Sequence, residues 1–149
     1  MQNGYLGIDH VDTRVRSIKA VEPFYDELMQ VLGLPRKRYA HVDAAGDWHE
    51  AADDRPYNAL EYYEPAAEGV VSRFVGFIED ASMQPTLTRI AFRVPAPLDT
   101  AWWTSLLRRI GAVRIEPSAS ADYPAIFFED PSGTKLEVCA RKREVAEIG

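Results

Sequence analysis

Three predicted strands each carry titratable side chains on one face, and their types could support proton transfer and anion binding. Alternate residues of each strand are apolar, so the polar ones point to the opposite side. A histidine exchanges protons near neutral pH, and a neighbouring cation could stabilise a developing oxyanion. Because charged groups are seldom buried unless paired, this side is either a solvated sheet face or a polar cleft. It contains His10, Asp12, Arg89, Arg93, Glu137 and Cys139.

The chain nearly repeats itself, which favours the cleft over the solvated face. Residues 9–15 align with residues 88–94, and Gly33 aligns with Gly111. Each half opens with an alternating strand, continues through an amphipathic helix and stops at a glycine. A unit used twice can bury its own apolar faces, and it places positions 10 and 89 at related points.

In the first half, apolar spacing predicts one helix and four strands. The segment 43–57 is predicted to be a loop or lid, because it contains Gly46, Pro56 and several acids. The strands are expected near 6–15, 38–42, 58–63 and 72–79, and the helix near 17–32.

The second half is predicted to repeat the same order of elements after a linker over 80–85. Asp99 or Thr100 can cap its helix, and Gly111 ends it. Strands are expected near 87–94, 113–116, 125–129 and 135–140, with a tight turn at 130–133. Each module therefore reads strand, helix, strand, strand, strand.

Composition favours one domain over residues 1–149, with modules at about 4–80 and 86–141. A net charge of −6 argues against a nucleic-acid partner, and no apolar run approaches the length of a membrane span. No secretory signal is seen, and the single cysteine, Cys139, fits a reducing compartment, so we expect a cytoplasmic protein.

Four segments of the chain resemble the vicinal oxygen chelate superfamily, which includes glyoxalase I, fosfomycin resistance enzymes, bleomycin-binding proteins and extradiol dioxygenases. Together they cover most of the chain, and the match is strongest at its two ends. They are Gly7–Val11, the helix with Phe24-Tyr25 that ends at Leu32-Gly33-Leu34, Thr88–Val94, and Glu129–Glu137 with its Asp130-Pro131-Ser132-Gly133 turn.

The resemblance implies an α+β fold, in which two βαβββ modules form a curved, incomplete mixed barrel around a cavity. It also implies a homodimer. Metal-using members bind a divalent ion through a His of the first strand, a His of the fifth and a Glu of the eighth. His10 and Glu137 match the first and last of these positions, and Glu79 is a further carboxylate that could join them.

Arg89 occupies the position of the middle ligand. A guanidinium has no free lone pair and cannot coordinate a cation. His10 and Glu137 alone do not make a stable site. We therefore expect Arg89 to pair with Glu137 and expect no metal, although one divalent Zn, Ni, Mn or Fe ion is the alternative.

Several other residues are candidates on weaker grounds. His49 could reach the ligand from the 43–57 loop. Of Trp102 and Trp103, at least one is expected in the core or a dimer interface. Asp12, Arg93 and Cys139 share the polar face and are predicted to contact the ligand.

Three functions follow from these residues. The first is a glyoxalase, bleomycin resistance or dioxygenase-like protein that binds a small oxygenated molecule through a degenerate metal site. The second is a metal-dependent lyase, isomerase or dioxygenase that uses His10 and Glu137. The third is a cofactor-free enzyme in which His10 is the general base and Arg89 steadies an anionic intermediate.

Overall fold

The structure is a computed structural model that describes residues 3–141. In that range the chain forms two helices and nine strands in two mixed sheets, which confirms the predicted α+β class. The described chain divides into two compact units, one with residues 3–22 and 29–83 and the other with residues 23–28 and 84–141.

The first unit is built on a five-stranded sheet. Its strands are β1 (His10–Val15), β2 (Arg36–Val42), β3 (Trp48–Glu50), β4 (Ala59–Tyr63) and β5 (Phe74–Glu79). They lie in the order β1-β5-β4-β2-β3, with β1 parallel to β5 and the other neighbours antiparallel. The first strand is shorter than predicted: it begins at His10, and residues 6–9 are not in strand conformation.

Helix α1 (Ile18–Leu32) begins and ends where the sequence predicts. The Ser17 side chain accepts a hydrogen bond from the Ala20 amide, and Gly33 ends the helix with a left-handed φ of 85°. The Glu79 carboxylate accepts a bond from the Ile18 amide at 2.8 Å, which satisfies another free amide of the first turn. Glu79 pairs with Val15 and therefore lies on the sheet face opposite to His10.

The predicted 43–57 loop contains strand β3, so that prediction was wrong for residues 48–50. The Asp43 carboxylate accepts bonds from the Ala45 and Asp47 amides, and the resulting turn folds β3 back onto β2. Three residues are too few to show an alternating pattern, which is why the sequence did not reveal this strand. The first module therefore has one strand more than the predicted βαβββ unit.

The second unit has the predicted order of elements. Its elements are β6 (Arg89–Arg93), α2 (Thr100–Ile110), β7 (Val113–Pro117), β8 (Ala125–Glu129) and β9 (Lys135–Cys139). The sheet order β6-β9-β8-β7 matches β1-β5-β4-β2 of the first unit, so the repeat is confirmed in strand order. Asp99 caps α2 and Gly111 ends it, as predicted.

The core of the second unit lies on one face of its sheet and includes the middle of α1. Leu136 and Val138 of β9 are fully buried on this face, and Phe24 of α1 contacts Phe128 with ring centroids 6.5 Å apart. Trp103 is buried while Trp102 is half exposed, so one tryptophan is a core residue, as expected. In the described part of the chain, no helix is both long enough and apolar enough to cross a bilayer.

The turn between β8 and β9 is fixed by a fully buried carboxylate, Asp130. Its Oδ1 accepts bonds from the Ser132 and Thr134 amides at 2.7 and 2.9 Å. Its Oδ2 accepts the Tyr25 hydroxyl of α1 at 2.5 Å. This turn therefore sets where β9, and the residues it carries, begins.

Candidate functional site

Glu137 lies in the middle strand pair of the second sheet, on the face away from the core. Its cross-strand neighbours are Ala91 of β6 and Phe127 of β8. The side chain is buried, with 5% of its surface exposed, and its Oε1 atom has no hydrogen-bond partner. A buried carboxylate oxygen without a donor is costly, so it marks a position where a donor or cation is missing.

Arg89 shares a sheet face with Glu137 but does not pair with it. The Arg89 guanidinium carbon sits 4.6 Å from the centroid of the Phe127 ring, in a cation–π contact. Within residues 3–141, no ion pair joins Arg89 to Glu137, so that expectation was wrong. The physical reason is that the exposed guanidinium reaches across β9 to the aromatic ring on β8, which strand alternation alone does not reveal.

Tyr123 is a part of this region that the sequence did not suggest. Burial, and then the nearby Glu137 carboxylate, raise the pKa of the Tyr123 phenol to about 12. Tyr123 lies in the turn before β8, outside any periodic segment, so no sequence pattern could have identified it.

Among the remaining charged residues of this face, some form ion pairs and others do not. Glu129 lies 3.4 Å from both Lys135 and Arg114, so its charge is compensated. Arg93 is exposed opposite the buried Cys139. The predicted residues Arg89, Arg93, Glu137 and Cys139 thus share one face of the second sheet.

His10 is held in a fixed orientation on the face of the first sheet. Its ring stacks on Phe74 with centroids 4.4 Å apart and planes 5° from parallel. Nδ1 lies 2.7 Å from the Asp9 carboxylate, and Nε2 lies 3.7 Å from that of Asp12. The hydrogen bond to Asp9, and the negative charges of Asp12 and Glu61, raise the pKa of His10 above its ordinary value.

The Asp12 carboxylate occupies space left by Gly76 on the neighbouring strand. A Cβ atom on Gly76 would overlap Oδ1 of Asp12, at the far end of that side chain. Glycine at position 76 therefore leaves room for this carboxylate, and a larger residue there would force the Asp12 side chain to turn away.

The same face continues with a satisfied ion pair. The Glu61 carboxylate is buried and accepts a bond from Arg38 at 2.7 Å, and Arg38 also reaches Glu50 at 3.0 Å. These two carboxylates raise the pKa of Arg38. Glu61 was also missed, although its alternation with the buried Leu60 and Tyr62 places it on the polar face.

His49 lies in the β3 hairpin of the first unit. Its Nε2 is 2.7 Å from the Asp43 carboxylate, and this bond lowers the pKa of Asp43. The role of His49 in ligand binding stays a prediction. The Glu79 carboxylate accepts a hydrogen bond from the first turn of α1, and Glu79 does not share the sheet face of His10.

The donor set for a metal is incomplete among residues 3–141. The unpartnered Glu137 oxygen would suit a cation, but position 89 provides a guanidinium in place of the expected imidazole. Among the described residues, no group of three or more His, Cys, Asp or Glu side chains is arranged to hold a metal ion. The residues present therefore do not fit the metal centre that the resemblance implies.

Comparison with known proteins gives matches only at the level of structure. No protein-family model matches this chain, and no curated protein sequence matches it. A mutant of the fosfomycin resistance protein FosX from Listeria monocytogenes, solved with Mn(II) and 1S,2S-dihydroxypropylphosphonic acid, has a TM-score of 0.56 and 16% identity. That alignment covers 92% of this chain and 93% of FosX.

Two further structures give the same result. FosX from Mesorhizobium loti matches with a TM-score of 0.57 and 14% identity, over 91% of this chain and 92% of that one. An integron cassette protein from the mobile metagenome of the Halifax Harbour sewage outfall matches with a TM-score of 0.56 and 16% identity, over 91% and 99%. The chain has the vicinal oxygen chelate fold. The predicted resemblance is thus confirmed for the fold, and identities this low carry no activity with them.

Proposed function

We propose that this chain is a glyoxalase, bleomycin resistance or dioxygenase-like protein that binds a small oxygenated molecule. The proposed site is the polar face of the second sheet, around Glu137 and Arg89. One observation carries the proposal: a buried carboxylate oxygen without a donor shares its sheet face with an arginine that rests on the ring of Phe127, the cross-strand partner of Glu137. A ligand that supplies both a donor and an anion would satisfy two groups that the protein leaves incomplete.

The chemistry of the face suits such a ligand. A guanidinium binds carboxylate and phosphonate oxygens through two parallel hydrogen bonds. Arg93 adds a second exposed cation along the same strand. Phe127 offers an aromatic surface beside them, and Tyr123 offers a phenol near Glu137. Cys139 is buried opposite Arg93 and is proposed as a contact residue.

We test this proposal by recording backbone amide NMR spectra of the full chain with a library of small oxygenated molecules. Binding at the proposed site should shift amides of β6, β8 and β9, and Arg89→Gln should abolish the shifts. A library without any such ligand, or with ligands that shift only other parts of the chain, would contradict it.

The alternative is a divalent-metal-dependent lyase, isomerase or dioxygenase that uses His10 and Glu137. The hydrogen bond between Nδ1 of His10 and the Asp9 carboxylate favours this alternative. Histidines that bind a metal through one ring nitrogen commonly donate the N–H of the other to a carboxylate. FosX of the similar fold was crystallised with Mn(II). Metal analysis of protein purified without chelator separates the two: stoichiometric metal that disappears in His10→Ala and Glu137→Ala would establish the alternative.

A third candidate is metal-free proton transfer by His10, with Arg89 stabilising an anionic intermediate. The fixed ring of His10 favours this role, because a group that transfers a proton needs a defined orientation. The predicted homodimer and the cytoplasmic location also stand as proposals. Light scattering on purified protein tests the first of them.

A further inference from the structure

The polar face of the second sheet carries two groups whose hydrogen-bonding capacity is not fully used within the protein. The Oε1 atom of Glu137 is an acceptor without a donor, although the carboxylate also has a hydrogen bond with Tyr123, and the Arg89 guanidinium contacts an aromatic ring. Among residues 3–141, Arg89 forms no hydrogen bond and no ion pair. These two features together constrain the ligand more than either does alone.

Strand register brings the two groups within reach of one small molecule. Glu137 pairs directly with Phe127, and the Arg89 guanidinium rests on the ring of that same Phe127. Ala91 pairs with Glu137, and Arg89 lies two residues before Ala91 on the same strand. Because residues two apart on a strand point to the same side, the side chains of Arg89 and Glu137 lie on one sheet face. A ligand touching both needs a donor and an anion only a few bonds apart.

The geometry points to a small anion that carries a hydroxyl group next to its acidic group, and we propose this as the ligand class. The inference rests on the proposed function and deepens it. The ligand hydroxyl donates to Oε1 of Glu137, while the carboxylate or phosphonate accepts from the Arg89 guanidinium. No metal ion is needed to hold either oxygen.

The position of Arg89 leaves Oε1 of Glu137 without a protein donor. An ion pair with Glu137 would satisfy both groups and close the site, whereas the Phe127 ring holds the guanidinium weakly and reversibly. Because Arg89 is exposed, it can turn from the ring toward an incoming anion with little rearrangement of the sheet.

Two matched pairs of probes test the ligand class in the presence of EDTA. The phosphonate pair is 1S,2S-dihydroxypropylphosphonic acid and propylphosphonic acid. The carboxylate pair is glycerate and propanoate. Each pair differs only in hydroxyl groups, so the ratio of the two dissociation constants isolates the contribution of the hydroxyl.

We expect the hydroxylated member of at least one pair to bind roughly tenfold more tightly, as a hydrogen bond to a charged group predicts. Glu137→Met should remove this preference and leave the other anion unchanged. Arg89→Gln should weaken both members by a similar factor. Glu68→Gln and Arg108→Gln change exposed residues outside the site and should leave all four affinities unaltered.

The outcomes separate this inference from the proposed function. Suppose that both members of each pair bind equally, and that Glu137→Met leaves binding unchanged while Arg89→Gln weakens it. That result would contradict recognition of the ligand hydroxyl by Glu137 but would still support the proposed binding site. Binding that is seen only when EDTA is left out would overturn direct recognition by Glu137. If no anion binds while library ligands still shift β6, β8 and β9, the ligand class alone is wrong. Thermal unfolding of each variant identifies any substitution that acts through misfolding.

Discussion

Four strands of each sheet correspond in order, but the polar faces of the two sheets differ in how far their buried polar groups are hydrogen-bonded. On the first sheet, the buried Glu61 is paired with Arg38, and His10 is held between two carboxylates. On the second, the buried Glu137 has an oxygen without a partner, and Arg89 rests on a ring. A repeated fold can therefore keep one face internally satisfied while its counterpart retains unsatisfied groups, and unsatisfied groups are the better indication of where a ligand binds.

The strongest way to disturb the first face is to add one methyl group. Gly76→Ala should destabilise the protein by about 2 kcal/mol, because the new Cβ displaces the Asp12 carboxylate from its position beside His10. In an Asp12→Ala background the carboxylate is absent, and most of that loss should disappear. Urea unfolding of the four variants measures the coupling.

Gly4→Ala is the control, since a Cβ at position 4 meets nothing within 4 Å. Equal effects of Gly76→Ala with and without Asp12 would show that the carboxylate does not require this glycine.

The comparison also predicts opposite signs for two buried glutamates. Glu61→Met should cost about 2 kcal/mol, because it removes a satisfied partner from Arg38. Glu137→Met should stabilise the free protein by about 1 kcal/mol, because it removes an orphaned acceptor. Chemical denaturation at neutral pH measures both. Destabilisation by both substitutions to the same extent would remove the contrast between the two faces.

Tyr123 reports on the charge of Glu137. The phenol should titrate with a pKa of about 12 in the unmodified chain. In Glu137→Met the pKa should fall, but not to its ordinary value, because burial, the larger cause, remains. NMR of ring-labelled tyrosine, assigned with Tyr123→Phe, follows this. An unchanged pKa would place the carboxylate too far from the phenol to matter.

The smallest expected effect is the pH dependence contributed by His10. Its pKa is raised in the folded chain, so its stabilising contribution is complete below the unfolded value of about 6.5 and is lost as pH rises through the folded value. Asp9→Asn should lower the pKa more than Asp12→Asn, because the hydrogen bond to Asp9 is the larger cause. Histidine NMR titration, assigned with His10→Gln, measures the order, and the reverse order would contradict the assignment.

The sequence predicted the elements that have strong local signals. Ser17 and Gly33 bound α1, Asp99 and Gly111 bound α2, and β8 spans residues 125–129 as expected. Each of these depends on capping or alternation within a few residues. Strand β3 is too short for such a pattern, and its position depends on the turn at Asp43.

The site was predictable in part, for the same physical reason. Alternation placed Arg89, Arg93 and Glu137 on polar faces, and register confirms that they share one. The contact of Arg89 with Phe127, and the missing partner of Glu137, depend on side-chain orientation across three strands. No pattern within a single strand encodes them.

The hydrogen bond from Tyr25 to Asp130 bears on how this chain can be divided. Residues 23–28 of α1 belong to the second unit, so a cut between residues 83 and 84 separates the later strands from part of their own core. A fragment that begins at residue 84 should therefore be recovered as an aggregate or a molten state. Supplying a peptide that spans 17–33 should restore it, and replacing that tyrosine by phenylalanine should weaken the rescue.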